Sequence, residues 1–254
     1  MDDGIAALAG RMSDLLAAMD GDSDPARFFL GTYLRTTQAV GAALADGRFE
    51  DARWVSTWVV DFADRYLHAL RGFRAGGPDV PRPWQLAFGA DRGLPPEAHV
   101  LLGMNAHINY DLPLSLLAMV PPEEFADSFL LDRRRRDHER IDGVLASRVS
   151  AEDVALERVG GRRTVVDRLI APANRHAART FLREARRKVW HNAGALDRAR
   201  LRGPDDVARG IAVLEQAAAD RVRDLLRPGP VLLRLAVRGF GVTIPPTPIR
   251  GSSA

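Results

Sequence analysis

The chain has 254 residues and no cysteine, and 46% of its residues are hydrophobic while 27% are charged. This composition argues against a disordered chain, and the lack of cysteine excludes a disulfide framework, a cysteine nucleophile and a thiolate metal site. The formal net charge of +3 is a weak signal for nucleic acid, so we expect no nucleic-acid partner.

Helical periodicity dominates the chain, and clear strand alternation is nearly absent. We predict an all-α fold, a single-domain multi-helix bundle with an N-terminal helix within residues 1–24, a helical core over 25–227 and an extended Pro-rich tail over 228–254. The predicted helices cover residues 5–19, 25–46, 50–73, 95–110, 122–148, 163–199 and 204–227. The tail is expected to dock on the core through Leu232, Leu233 and Phe240.

Several signals along the chain refine these helices. Trp84 and Phe88 follow a Gly- and Pro-rich loop and predict a short apolar turn that enters the core. Pro113 predicts a kink, or a new helix capped by Asp111. Ser150 begins a sequence that resembles a capping box, so a helix is expected to end before it.

The most apolar stretch, residues 100–120, is interrupted by Asn105, His107, Asn109 and Asp111. Polar groups at this density are costly in lipid, so the stretch predicts a core helix and not a membrane span. The first three residues lack the basic and apolar parts of a signal peptide. We therefore expect a cytoplasmic protein with no membrane partner.

This polar cluster is the most informative feature of the sequence. His107 and Asp111 are four residues apart and share a helix face, whereas Asn105 lies about 200° around the helix from His107 unless the backbone bends. Buried polar groups need partners, so the cluster predicts either a functional site or a structural hydrogen-bond network.

The favoured interpretation is a metal-free acid/base site for a small-molecule ligand. Asp111 would orient His107, His107 would move a proton, and Asn105 would hold a substrate oxygen as the third catalytic residue. Binding pockets are usually lined by apolar groups with a few polar contacts. The predicted substrate-binding residues are Asn109, Tyr33, Tyr66, Trp84, Phe88 and Arg186.

Three alternatives stay open. His138 and Asp142 repeat the same spacing, and with His107 and Asp111 they predict a site for one divalent ion such as zinc, iron or manganese. A second alternative is a non-catalytic helical binding or scaffold protein whose polar network only fixes the helix register. The third is a nucleic-acid binder led by arginines such as the run 133–136, although such a run is usually a solvated helix face.

The segment Gly-Met-Asn-Ala-His-Ile-Asn-Tyr-Asp-Leu-Pro at 103–113 resembles the signature of an actinobacterial family of unknown function, DUF5995. Flanking segments of similar type extend the resemblance over roughly residues 25–195. The resemblance implies a helical single domain and supplies no established activity. Residues 137–142 depart from the family pattern, in which an Asp-aromatic-x-x-Val-Asn sequence is usual, so His138 and Asp142 are expected to be peculiar to this protein.

Together these features predict a small-molecule enzyme that catalyses a cyclisation, elimination, isomerisation or hydrolysis, for example in secondary metabolism. The favoured interpretation needs no cofactor, and only the metal alternative requires an ion.

Overall fold

The computed structural model describes residues 3–19, 24–159, 175–229, 235 and 238–245, with side chains throughout except at 145–159 and 175–183. Regular structure in these residues is helical and includes no β-strand, which confirms the all-α prediction. The helices are α1 (Asp3–Ala17), α2 (Ala26–Ala45), α3 (Ala52–Arg74), α4 (Arg82–Phe88), α5 (Pro96–Ala106), a π-helical turn (His107–Asp111, the π-turn), α6 (Leu112–Met119), α7 (Pro122–Ala126), α8 (Ser128–Val159), α9 (Arg175–Arg200) and α10 (Pro204–Leu226).

The sequence-predicted helices need three corrections. Trp84 and Phe88 belong to the helix α4 and not to a turn. The helix predicted from residue 122 is divided at Asp127, whose Oδ1 accepts the backbone N–H groups of Phe129 and Leu130 and so caps α8. The break expected before Ser150 is absent, since α8 continues to Val159. Residues 163–174 of the predicted helix 163–199 lie outside the described part of the chain.

Two hydrophobic clusters surround the π-turn. The larger one joins α1–α6 to buried residues of α8, α9 and α10, and it contains fully buried aromatic side chains such as Tyr66 and Trp84. The smaller one joins Tyr110 of the π-turn and residues of α9 and α10 to Val242 and Ile244 near the C-terminus. The π-turn therefore lies between the main core and a separate contact with the end of the chain.

The π-turn has a cause in the sequence. Pro113 has no N–H group, and its ring would clash with the carbonyl of Asn109 in a regular α-helix. The N–H of Leu112 instead donates to the carbonyl of His107, five residues back. This wider turn joins α5 directly to α6, and such turns are frequent at functional sites.

None of the described helices combines the length and hydrophobicity that a bilayer span requires. Phe240 is buried in the main core, whereas Leu232 and Leu233 lie outside the described residues.

Candidate functional site

His107 and Asp111 form a buried hydrogen-bonded pair in the π-turn. The His107 Nδ1 and Asp111 Oδ2 atoms are 2.8 Å apart, and both residues are 3% exposed. The indole N–H of Trp84, from α4, donates to the same carboxylate oxygen at 2.8 Å. Because a carboxylate only accepts, the proton of a neutral His107 resides on Nδ1 and leaves a lone pair on Nε2.

The charge state of His107 follows from its surroundings. Burial lowers the pKa of His107 below its ordinary value, and the hydrogen bond and charge of Asp111 oppose that fall. The net direction is downward, so the imidazole is neutral near pH 7. A neutral imidazole held at Nδ1 by a carboxylate is the arrangement in which Nε2 acts as a base.

Five aromatic side chains surround His107 and form what we call the aromatic chamber. Phe62 of α3 stacks on the imidazole, with ring centroids 3.7 Å apart and an angle of 5° between the ring planes. Tyr33 contacts the imidazole edge-on, with ring centroids 4.8 Å apart. The ring centroids of Phe29, Tyr66 and Trp84 lie 5.9–6.1 Å from that of the imidazole. Helices α2, α3 and α4 therefore each contribute to one enclosure.

Three polar atoms of the chamber lack a hydrogen-bond partner among the described residues: His107 Nε2, Tyr33 Oη and Tyr66 Oη. Burial raises the pKa of both tyrosines, so each keeps its O–H donor. Buried polar atoms are bonded in the great majority of cases, and each exception needs an explanation. Two donors and one acceptor in a single apolar enclosure are consistent with a site for a polar ligand atom or for water.

A small cavity of about 20 Å³ adjoins the chamber. Its lining includes Phe29, Trp84, Phe88, His99 and Gly103. This volume is close to the space that one water molecule needs. Gly103, the first residue of the motif, is required here because a Cβ atom at that position would come within 2.6 Å of Phe29 Cγ.

Asn105 and Asn109 lie on the opposite face of the motif from His107. The Nδ2 group of Asn109 donates to the carbonyl of Phe240 at 3.1 Å, and its Oδ1 accepts the N–H of Val242 at 3.1 Å. Asn105 Nδ2 donates to the same Phe240 carbonyl at 3.4 Å. In this structure the amides predicted to contact substrate are bonded to the C-terminal segment.

Asn192 of α9 forms the same pair of backbone hydrogen bonds as Asn109, two residues further along the C-terminal segment. It donates to the carbonyl of Val242 at 2.9 Å and accepts the N–H of Ile244 at 2.8 Å. Asn109 and Asn192 thus hold residues 240–244 by their backbone, as a neighbouring strand would. Sequence reasoning missed Asn192 because nothing local distinguishes it from a surface residue of an Arg-rich helix.

The second His/Asp pair is not joined to the first. His138 packs between Trp58 and Trp190, while Asp142 accepts hydrogen bonds from Arg186, which also contacts Glu139. Arg186 therefore lies beside the second pair and not in the aromatic chamber. No group of three or more potential metal-ligating side chains occurs within the described residues, so the four residues of the metal alternative are not brought together.

A model of the family of unknown function DUF5995 matches residues 5–228. The chain belongs to this family. Comparisons with curated proteins and with solved structures found no match. The family match covers the aromatic chamber, the π-turn and Asn192, and it ends before the segment that Asn109 and Asn192 hold.

The arginine run 133–136 was predicted to be a solvated helix face, and for Arg134 this is wrong. Arg134 is 8% exposed and bonds the carboxylates of Glu124 and Asp51, with its guanidinium 4.7 Å from the Trp54 ring centroid. Arg133, Arg135 and Arg136 keep substantial solvent exposure. The run therefore includes one buried arginine, Arg134, whose two ion pairs join α8 to α7 and to the start of α3.

Proposed function

We propose that this protein is a small-molecule enzyme whose chemistry is proton transfer at His107. The observation that carries the proposal is the combination of a neutral imidazole, fixed at Nδ1 by Asp111, with an unbonded Nε2 atom in a buried aromatic chamber. Buried acceptors are hydrogen-bonded in the great majority of cases, so Nε2 of His107 is the atom at which a ligand or a water molecule is expected to bind.

In the proposed reaction, Nε2 of His107 takes a proton from the substrate or from a water molecule. The Asp111 carboxylate stabilises the imidazolium that forms, and the proton returns to another atom of the substrate or to the leaving group. Tyr33 and Tyr66, as O–H donors, would stabilise negative charge that develops on a substrate oxygen. Isomerisation, elimination, cyclisation and hydrolysis all use this sequence of steps.

The chamber also limits the substrate. Its walls are aromatic, so the substrate is expected to be small and mainly apolar, with one carbonyl or hydroxyl group for the polar atoms. The adjoining cavity of about 20 Å³ holds no more than a water molecule. Substrate entry therefore requires movement of Phe29, Trp84 or Phe88, which is the kind of opening step that precedes catalysis in many enzymes.

A second candidate is a structural role, and one observation favours it. Asp111 Oδ2 accepts two N–H groups, from His107 and Trp84, so the network ties the π-turn to α4 whether or not a ligand binds. In that case His107 would fix the position of the π-turn and have no substrate.

Proton NMR in D₂O can separate the two candidates. A panel of small cyclic ketones, lactones and esters would be incubated with the protein, and exchange of acidic C–H groups or hydrolysis would be followed. We expect at least one compound to react, and His107→Gln to lower its turnover by about 10²- to 10⁴-fold. The exposed His68→Gln serves as the matched control. If no compound reacts and none perturbs the ¹⁵N signals of His107, the structural role is the correct one.

A further inference from the structure

A second, larger opening lies away from the aromatic chamber. This arginine groove has a volume of about 640 Å³ and runs between α7, α8 and α9. Pockets that bind small molecules usually have volumes of several hundred Å³. It shares no lining residue with the chamber or with the small cavity. The groove is lined by Phe125, Leu131, Arg135, Glu139, Arg186, Arg187, Trp190, His191, Gly194, Asp197 and Arg198.

One face of α9 forms the length of the groove. Arg187, His191, Gly194 and Arg198 follow each other at spacings of four, three and four residues, so they share a face. Their Cα atoms span roughly 16 Å along the helix. Gly194 leaves the middle of this face without a side chain, and the nearest atom to a Cβ built there is Arg198 Nη1 at 3.5 Å.

The groove has unbalanced positive charge. Its two carboxylates are already paired, Glu139 with Arg186 and Asp197 with Arg200. Within the part of the chain that the structure describes, neither Arg187 nor Arg198 pairs with a carboxylate. Two guanidinium groups at the ends of one helix face are therefore available to an anion, and guanidinium binds carboxylate and phosphate oxygens in a bidentate manner.

Trp190 adds a polar atom and an aromatic wall. The residue is 7% exposed, yet its indole N–H is buried and has no hydrogen-bond partner among the described residues. The guanidinium of Arg135 lies 5.6 Å from the centroid of the indole ring. Phe125 and Leu131 continue the apolar surface. A planar, apolar group is expected to pack against these side chains.

From these observations we infer that the arginine groove binds a small organic anion with a planar apolar body. The anionic group, a carboxylate or a phosphate ester, pairs with Arg187 or Arg198. The body packs against Trp190 and Phe125, and an acceptor atom takes the indole N–H of Trp190. This site does not depend on proton transfer at His107.

Isothermal titration calorimetry with the full chain tests the proposal. The probes are para-nitrophenyl phosphate, para-nitrobenzoate, inorganic phosphate and the neutral para-nitrobenzyl alcohol. We expect at least one aromatic anion to bind about tenfold more tightly than either the alcohol or inorganic phosphate. The tighter of the two aromatic anions identifies the head group as phosphate or carboxylate.

Two variants locate the binding. The double variant Arg187→Gln/Arg198→Gln should weaken binding of the aromatic anion by about tenfold or more, while Arg92→Gln, an exposed arginine elsewhere, should not change it. Gly194→Leu should block the groove and still fold, because leucine is a better helix former than glycine. Equal affinities for anion and alcohol, or unchanged binding in either groove variant, would overturn the proposal.

Discussion

Two His/Asp pairs with the same four-residue spacing behave differently in this fold. His107 is hydrogen-bonded to Asp111 within the π-turn, and the indole N–H of Trp84 donates a second hydrogen bond to the same carboxylate. On α8, Asp142 is bonded by Arg186, and His138 contacts two tryptophans and leaves its Nδ1 atom buried without a partner among the described residues. Spacing places the two side chains of a pair on one face, but the neighbouring helices decide whether they meet.

The third residue makes the difference. An indole N–H is a neutral donor, so Trp84 binds Asp111 and leaves its charge available to His107. A guanidinium neutralises a carboxylate, so Arg186 draws Asp142 away from His138. The first pair therefore has the arrangement of an acid/base site, and the second has that of an ion pair beside a packed imidazole.

The largest expected difference between the pairs concerns their carboxylates. Asp111→Ala removes the acceptor of two buried N–H donors, so we expect the free energy of unfolding to fall by about 4 kcal/mol. Asp142→Ala leaves Arg186 paired with Glu139 and should cost about 1 kcal/mol. Urea denaturation of both variants measures the contrast, and equal losses would contradict the distinction between the pairs.

The tryptophan beside each pair gives a second contrast. Trp84→Phe removes a hydrogen bond to a carboxylate and leaves space in a fully buried site, for an expected loss of about 3 kcal/mol. Trp190→Phe removes an indole N–H that has no partner among the described residues, so a loss of about 1 kcal/mol is expected. Thermal unfolding of the two variants checks the order, and a reversed order would show that the bond to Asp111 contributes little.

Acid sensitivity should depend more on the second pair. Burial, together with a smaller contribution from the charge of nearby Arg186, lowers the pKa of His138 to about 3. Near pH 6.5 the imidazole of His138 takes up a proton in the unfolded chain but not in the folded chain. The contribution of His138 to the free energy of unfolding is therefore fully present above pH 6.5 and is lost as the pH falls. Between pH 6.5 and 5 the loss attributable to His138 is about 2 kcal/mol.

The variant His138→Gln should remove that loss from the stability profile. His107→Gln should abolish a smaller part of the loss of stability at low pH, because the Asp111 hydrogen bond partly offsets the effect of burial on the pKa of His107. Urea midpoints measured across the pH range give both slopes, and His68→Gln is the surface control. A steeper dependence on His107 would mean that Asp111 does not support the imidazole.

The smallest effect tests the chamber around the first pair. The hydroxyl of Tyr33 is buried without a partner among the described residues, so Tyr33→Phe should raise the free energy of unfolding by about 1 kcal/mol. The same substitution should lower the turnover of any substrate that uses this donor. A loss of stability of similar size would instead indicate a bound water at the hydroxyl.

Much of the fold could be predicted from the sequence, because helical periodicity is local. The shared face of His107 and Asp111 followed from their spacing alone, and the interruption by Pro113 was visible as a kink signal. Whether the interruption would be a π-turn or a new helix could not be predicted, because both accommodate a missing N–H group.

The other features depend on residues far apart in the chain. Arg134 is buried because Asp51 and Glu124 approach it from other elements. Asn109 is bonded to Phe240 and Val242, which lie more than a hundred residues away. The stacking of Phe62 on His107 likewise requires that α3 pack against the π-turn. The spacing of Asn105 already placed it about 200° from His107, but no local pattern encodes such contacts, so the bonding of Asn105 and Asn109 to the C-terminal segment was missed.

The backbone contacts of Asn109 and Asn192 have a practical consequence for how short this protein can be made. A chain ending at residue 228, where the family match ends, would uncover both amides together with the apolar side chains of Tyr110, Leu196 and Leu214. Such a truncation would offer a ready acceptor for any extended peptide, including the same segment of another molecule. Self-association on shortening is therefore the expected behaviour, and supplying residues 239–245 as a free peptide should suppress it.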